Sequence, residues 1–92
     1  MRLNQEQIDQ FNRDGYVFMP ECFSRDEAAL LRREADVVYA QDREEVWREK
    51  DGSTPRTAFA AHLYNEAFRR LGAHPRLIEP GEQLLDGKLY MH

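Results

Sequence analysis

The sequence predicts an α+β fold in which helices precede and surround a small number of short strands. Two segments begin with the polar pattern of a helix capping box and continue with apolar residues at helical spacing. Residues 16–19 have the aromatic and β-branched composition of a strand, and residues 88–92 predict a second strand. Since two short strands do not form an independent sheet, these residues are expected to belong to a larger β structure.

Length leaves room for no more than one domain, and residues 1–92 are expected to belong to a single globular domain. The 92 residues are 41% hydrophobic and 33% charged, which fits a soluble protein and argues against disorder. A net charge of -4 gives no basis for binding nucleic acid or an anionic membrane. The start of the chain has no secretory signal, so we expect a cytoplasmic protein. The single cysteine, Cys22, is expected to be a half-buried free thiol.

The first predicted element is a short helix that begins after Asn4. Gln7 lies three residues later and completes a capping box, while Gly15 is suited to end the helix in the left-handed conformation. Residues 16–19 then predict a strand that ends at Pro20.

The second helix is predicted to begin after Ser24, with Glu27 completing another capping box. It is expected to run to about Gln41. One face of this helix is apolar at helical spacing and consists of Ala28, Leu31, Ala35 and Val38.

The middle of the chain is harder to assign. Residues 41–51 are mostly charged and predict a solvated helix end, from which Val46 and Trp47 are expected to contact the rest of the domain. Residues 51–55 predict a turn or loop. Residues 56–62 fit an extended segment and a helix about equally well.

The last third predicts two more helices. Residues 64–71 form a short helix that Gly72 ends, and His74 with Pro75 begins the next one. Pro80 is expected to kink or split that helix. A turn at residues 86–87 then leads to the predicted strand 88–92, whose possible partner within the chain is the strand 16–19.

Residue patterns that carry chemistry are nearly absent from the sequence. None of the histidines, His62, His74 and His92, has a carboxylate, cysteine or second histidine at metal-ligand spacing. There is also no nucleophile elbow and no glycine-rich phosphate loop. On residues alone, we predict no catalytic residue and no metal ligand in this chain.

The order of segments adds a resemblance. The run LNQEQIDQFNRDGYVFMPECFSRDEAALLRREAD resembles the opening of phytanoyl-CoA dioxygenase family proteins, which begin with a helix, a strand entry F-x-x-D-G-Y/F, a short link and a long helix. The matching residues are Phe11, Asp14, Gly15, Tyr16, Pro20, Phe23, Ser24 and Glu27.

The second half resembles bacterial hydroxylases of free amino acids, such as the ectoine hydroxylases and the leucine hydroxylase of natural-product pathways. Their pattern has an arginine, an aromatic, a histidine, two helices and a strand ending in Y-I-H-Q. The residues in register are Arg56, Phe59, His62, Arg76, Leu77, Leu84, Leu85, Tyr90 and His92.

The resemblance implies a double-stranded β-helix of the jelly-roll or cupin-like type, truncated here before its core. It also implies an oxygenase that uses iron(II) and 2-oxoglutarate, with iron held by an H-x-D…H triad. In the family that triad lies beyond the position of His92. We therefore expect neither cofactor to bind this chain alone, and we expect the chain to be inactive without the remaining part of the same protein.

Four residues are carried over as candidate contacts to a small amino-acid-like substrate. Arg56 is suited to hold a carboxylate, Phe59 to pack on an aliphatic group, and His62 lies in the same segment. The resemblance implies that the position after His92 faces the pocket. Because strand side chains alternate, Met91 is expected to face the pocket as well. The structural alternative pairs Arg56 with a loop carboxylate, buries Phe59 in the core and makes His62 a satisfied polar residue.

Three functions fit these expectations. The whole protein is predicted to hydroxylate a small amino-acid-like molecule. A related non-haem iron halogenase is the first alternative. The second is a non-catalytic helical interaction module, which the charged stretch 41–51 suggests.

Overall fold

The computed structural model describes residues 2–92, which combine helices with one small sheet and so confirm the predicted α+β class. They form two compact units, one from residues up to Cys22 together with Gly72–His92 and one from Phe23–Leu71. The elements in chain order are α1 (Gln5–Asp14), α2 (Arg25–Tyr39), β1 (Val46–Arg48), β2 (Pro55–Ala58), a 3-10 turn (Ala61–Leu63), α3 (Glu66–Gly72) and α4 (Pro75–Leu85).

Helix α1 has both of the predicted end signals. The Asn4 side chain accepts a hydrogen bond from the Gln7 N–H at 2.9 Å, and the Gln7 side chain accepts one from the Asn4 N–H at 2.9 Å. Gly15 ends the helix at φ 82°, a left-handed conformation that costs glycine little. These contacts satisfy backbone groups that a helix end would otherwise leave unpaired.

Helix α2 also has its predicted capping box, since Ser24 accepts from the Glu27 N–H at 3.1 Å and Glu27 accepts from the Ser24 N–H at 2.8 Å. It ends at Tyr39, slightly before the expected Gln41. Its last carbonyls are not left unpaired, because the Arg48 guanidinium donates to the Tyr39 carbonyl at 2.8 Å. A side chain from the following strand therefore caps the end of α2.

Helix α4 begins as predicted, with His74 as its cap and Pro75 in the first turn, but Pro80 does not split it. Proline has no N–H, so the carbonyl four residues earlier, that of Arg76, loses its helical donor. The Cys22 thiol, half-buried as predicted, donates to this carbonyl at 3.8 Å. The Arg76 guanidinium donates in return to the Cys22 carbonyl at 2.9 Å. A local contact thus compensates for the proline and lets the helix continue.

A second contact joins the ends of the same unit. The Gln83 side-chain amide accepts from the Leu3 N–H at 2.8 Å and donates to the Leu3 carbonyl at 3.0 Å. Leu3 is one of the few buried apolar residues, with 5% of its surface exposed. Both polar groups of a buried backbone position are therefore satisfied by one side chain on α4.

The predicted strands at residues 16–19 and 88–92 are not formed, and they do not pair with each other. Strand preference reflects packing against neighbouring strands, and the described residues supply no neighbour to either run. Residues 88–92 instead lie against helical glycines. A Cβ at Gly81 would be 2.5 Å from Leu89 Cδ1, and one at Gly72 would be 2.6 Å from Met91 Cε.

The sheet forms where the sequence predicted a solvated helix end. β1, within the charged stretch 41–51, pairs antiparallel with β2, and Val46 lies opposite Ala58. Val46 is buried, which confirms its predicted contact with the rest of the unit. The ambiguous segment 56–62 contains both predicted alternatives in sequence, because it runs from β2 into the 3-10 turn.

The buried core of the described residues is small. Leu3, Val38, Val46 and Pro80 are buried, whereas Phe18 is 72% exposed and Tyr90 is 85% exposed. Burial of apolar surface supplies most of the free energy that offsets the loss of chain entropy on folding. A chain with so little buried apolar surface has a thin stability margin.

We predict that the isolated 92-residue chain does not unfold as an independent domain. Its thermal unfolding, followed by circular dichroism at 222 nm, should be broad, or its midpoint should rise with protein concentration because exposed apolar side chains associate. A sharp transition that does not depend on concentration would contradict this prediction.

Candidate functional site

Three of the four predicted site residues lie within one short segment of the second unit. Arg56 is in β2, Phe59 directly follows that strand, and His62 is in the 3-10 turn. The fourth, Met91, belongs to the first unit, in the irregular segment after α4. We call residues 56–62 the site segment.

Arg56 is the extra residue of a β-bulge. Trp47 pairs with Thr57 and Arg48 pairs with Pro55, so β2 advances by two residues where β1 advances by one. A bulge interrupts the alternation of side chains and re-aims one of them. Arg56 is exposed, and its side chain makes no hydrogen bond or ion pair with the residues that the structure describes.

Asp51, a carboxylate of the loop between β1 and β2, has partners other than Arg56. Asp51 accepts from the Thr54 hydroxyl at 2.5 Å and from the Ser53 and Thr54 N–H groups at 2.9 Å each. These bonds, that of the Thr54 hydroxyl above all, lower the pKa of Asp51 from 3.8 to about 2. Asp51 therefore closes the β1–β2 loop and leaves the Arg56 guanidinium free of it.

Phe59 contacts another aromatic residue that the sequence did not suggest as part of a site. Trp47 lies opposite Thr57, so Phe59 is its diagonal neighbour across the hairpin. The two rings meet edge to face, with centroids 5.4 Å apart and planes at 75°. Trp47 is 54% exposed and Phe59 is 51% exposed, so Phe59 does not belong to the buried core.

The backbone around Phe59 is held from several directions. Its N–H donates to the Glu45 carbonyl at 2.8 Å, and its carbonyl accepts from the Tyr64 hydroxyl at 3.0 Å. Ala60 then adopts a left-handed conformation, φ 55°, which is uncommon for a residue with a Cβ. The Arg43 guanidinium lies 3.9 Å from the centre of the Tyr64 ring. None of these supporting residues was identified from the sequence, because Glu45 and Arg43 act from the segment before the hairpin and the Tyr64 bond depends on the turn at Ala60.

His62 and Met91 have less support. His62 is half-buried, and no side-chain partner for it is present in residues 2–92. Met91 is 54% exposed, and its Cε lies over Gly72. The alternation argument for Met91 assumed a strand at residues 88–92, and that strand is not formed. Its contact with a substrate stays a prediction.

The described residues do not fit a metal ion. Within residues 2–92, no three side chains of histidine, cysteine, aspartate or glutamate are grouped closely enough to hold one. None of the helices in this range has the length and apolar character needed to cross a bilayer.

Comparison with known proteins identifies relatives over nearly the whole chain. An ectoine dioxygenase from Halomonas elongata is 33% identical over 98% of the chain, and one from Stutzerimonas stutzeri is 37% identical over 95%. The L-proline trans-4-hydroxylase of Streptomyces griseoviridis is 30% identical over 90%. No protein-family profile matches the chain.

The chain spans about 30% of the length of the curated relatives it matches, from 28% for the Halomonas protein to 31% for the proline hydroxylase. These matches confirm the predicted resemblance to amino-acid hydroxylases of the phytanoyl-CoA dioxygenase type. The chain corresponds to an amino-terminal portion of such a hydroxylase.

We predict that Thr54 controls the ionisation of Asp51 and through it the closure of the hairpin. Because the folded pKa lies below the ordinary value, ionised Asp51 stabilises the loop above about pH 3.8, and this stabilisation is lost as the pH falls through about 2. Thr54→Val should raise the Asp51 pKa toward 3.8, as measured by carboxyl ¹³C NMR titration. The matched variant Thr57→Val should leave it unchanged, and equal titration in both variants would contradict the assignment.

Proposed function

Since this chain is a homologue of the amino-terminal portion of ectoine dioxygenases and of a proline hydroxylase, we propose that it belongs to an oxygenase that hydroxylates a small amino-acid-like molecule. The observation that carries the proposal is the alignment itself, which extends over 90–98% of the chain with relatives named as dioxygenases or a hydroxylase. Exposed groups near the site segment support the proposal. The Arg56 guanidinium suits the carboxylate of such a substrate, and the Phe59 and Trp47 rings suit its aliphatic part.

We further propose that the whole protein is a jelly-roll oxygenase that depends on iron(II) and 2-oxoglutarate and works in the cytoplasm. The sequence resemblance supports this dependence. Residues 2–92 offer no group of metal ligands, so we assign iron and 2-oxoglutarate to the part of the protein that corresponds to the remaining length of the relatives. That part is then the partner that this chain requires for activity.

The site segment is proposed to bind the substrate rather than to perform the oxidation. Arg56, with no partner in the described residues, is suited to a bidentate contact with a carboxylate. The exposed edges of Phe59 and Trp47 offer apolar surface to an aliphatic ring or chain. His62 has both a donor and an acceptor for a polar group. Met91 is retained as a further apolar contact.

Hydroxylation is favoured over the two alternatives. The relatives are named as dioxygenases or a hydroxylase, which favours hydroxylation over halogenation. The interaction-module hypothesis relied on the charged stretch 41–51, and part of that stretch forms β1 and packs into the second unit. Formation of a chlorinated product would support the halogenase alternative.

We predict that the full-length protein, supplied with iron(II), 2-oxoglutarate and ascorbate, hydroxylates ectoine, proline or a close analogue. Arg56→Gln should raise the substrate KM by about 10- to 100-fold, because a charge-assisted contact is lost. Arg32→Gln, at another exposed arginine without a partner in the described residues, should leave KM unchanged. Product mass spectrometry and initial rates measure both effects. Equal KM values for the two variants would remove Arg56 from the site.

We also predict that the 92-residue chain alone produces no succinate from 2-oxoglutarate. Its described residues contain no metal-ligand group, and lone histidines do not replace one. Succinate release with iron(II), ascorbate and candidate amino acids should equal the control without protein. Turnover above that control, lost in His62→Ala or His92→Ala, would overturn the assignment of iron to the remaining part of the protein.

A further inference from the structure

Phe59 and three other residues of the second unit form a closed ring of contacts. The Phe59 N–H donates to the Glu45 carbonyl at 2.8 Å. The Glu45 carboxylate pairs with the Arg43 guanidinium at 3.3 Å. Arg43 lies over the Tyr64 ring, and the Tyr64 hydroxyl returns to the Phe59 carbonyl at 3.0 Å. We call Arg43, Glu45 and Tyr64 the brace.

The brace surrounds a backbone conformation that is not stable by itself. Ala60 follows Phe59 at φ 55° and ψ 33°, where a Cβ is disfavoured. Such conformations persist when surrounding contacts hold them, and they occur often at functional sites. The Tyr64 hydroxyl bonds the carbonyl directly before Ala60, so it acts on the peptide unit that leads into the left-handed residue.

The brace does not serve mainly to bury apolar surface. It holds the backbone of Phe59, whose ring meets that of Trp47, and each of these two residues keeps about half of its surface exposed. An exposed ring ordinarily gains little from being fixed, because immobilising a side chain costs entropy that burial has to offset. Holding the Phe59 backbone fixes the point from which its exposed ring leaves the chain, so less of the segment has to be ordered when an apolar group binds.

We propose that Tyr64 is a positioning residue for substrate binding: through its hydroxyl, and with Arg43 fixing its ring, it pre-orders the exposed Phe59–Trp47 pair against which the aliphatic part of the substrate packs. This inference rests on the proposed function. Tyr64 itself contacts the backbone of Phe59 and acts on the substrate only through that residue. The ligand class is a small molecule with a compact aliphatic portion, matched to two edge-to-face rings.

The test compares Tyr64→Phe with wild type in the full-length protein. The variant keeps the ring beneath Arg43 and removes the hydroxyl alone. We expect the substrate KM to rise by about three- to ten-fold with kcat within about two-fold, the size expected from losing one neutral hydrogen bond. Tyr39→Phe is the matched control, because the Tyr39 hydroxyl has no partner in the described residues, and its KM should not change.

A second measurement reports on the segment without activity. Hydrogen–deuterium exchange of the peptide covering residues 56–64 should be about three- to ten-fold faster in Tyr64→Phe than in Tyr39→Phe, because the held backbone opens more often. Arg43→Gln should also accelerate hydrogen–deuterium exchange of this peptide. Adding substrate to wild type should slow its exchange.

The outcomes separate this inference from the proposed function. Suppose that the wild type is active but Tyr64→Phe and Tyr39→Phe have the same KM and the same exchange rate. This result would overturn the positioning role of Tyr64. Faster exchange with an unchanged KM would show that Tyr64 has a structural role only and would also overturn it. A wild type that hydroxylates nothing, yet whose exchange responds to Tyr64→Phe, would refute the proposed function while showing that the brace holds the segment.

Discussion

The pairing of β1 with β2 is the constraint on which the second unit depends. It places Val46 opposite Ala58 in the buried part of the unit and Trp47 beside Phe59 on the exposed part. The loop that joins the strands closes through the Asp51 carboxylate rather than through apolar contacts. Arg48 also donates from β1 to the last carbonyl of α2, so the hairpin caps that helix.

In the first unit, polar groups satisfy buried and half-buried backbone positions. Gln83 pairs with both backbone groups of Leu3, and Cys22 supplies the donor that Pro80 takes away from the Arg76 carbonyl. Unsatisfied backbone groups are costly where water is excluded, so these contacts matter more than their number suggests. They join segments about 54 and 80 residues apart in the chain, which no local pattern specifies.

The functional picture combines a small core with a half-exposed aromatic pair. Large apolar side chains such as Phe18 and Leu63 stay mostly exposed, while the rings of Phe59 and Trp47 meet edge to face and the Phe59 backbone is held by two hydrogen bonds. The relatives are about three times as long as the region matched here. Together these observations favour a substrate-binding role for the site segment, with the oxidative chemistry assigned to other residues of the protein.

The sequence by itself determined the helices, the capping boxes at Asn4 and Ser24, and the relationship to amino-acid hydroxylases. Helix signals are local, because a cap and its partner lie three residues apart and the apolar period spans a few turns. Tertiary structure decided which runs became strands, since strand 16–19 had no neighbour whereas 46–48 had one. It also decided the bulge at Arg56 and the position of Arg43 over the Tyr64 ring, because both depend on where a second segment lies in space.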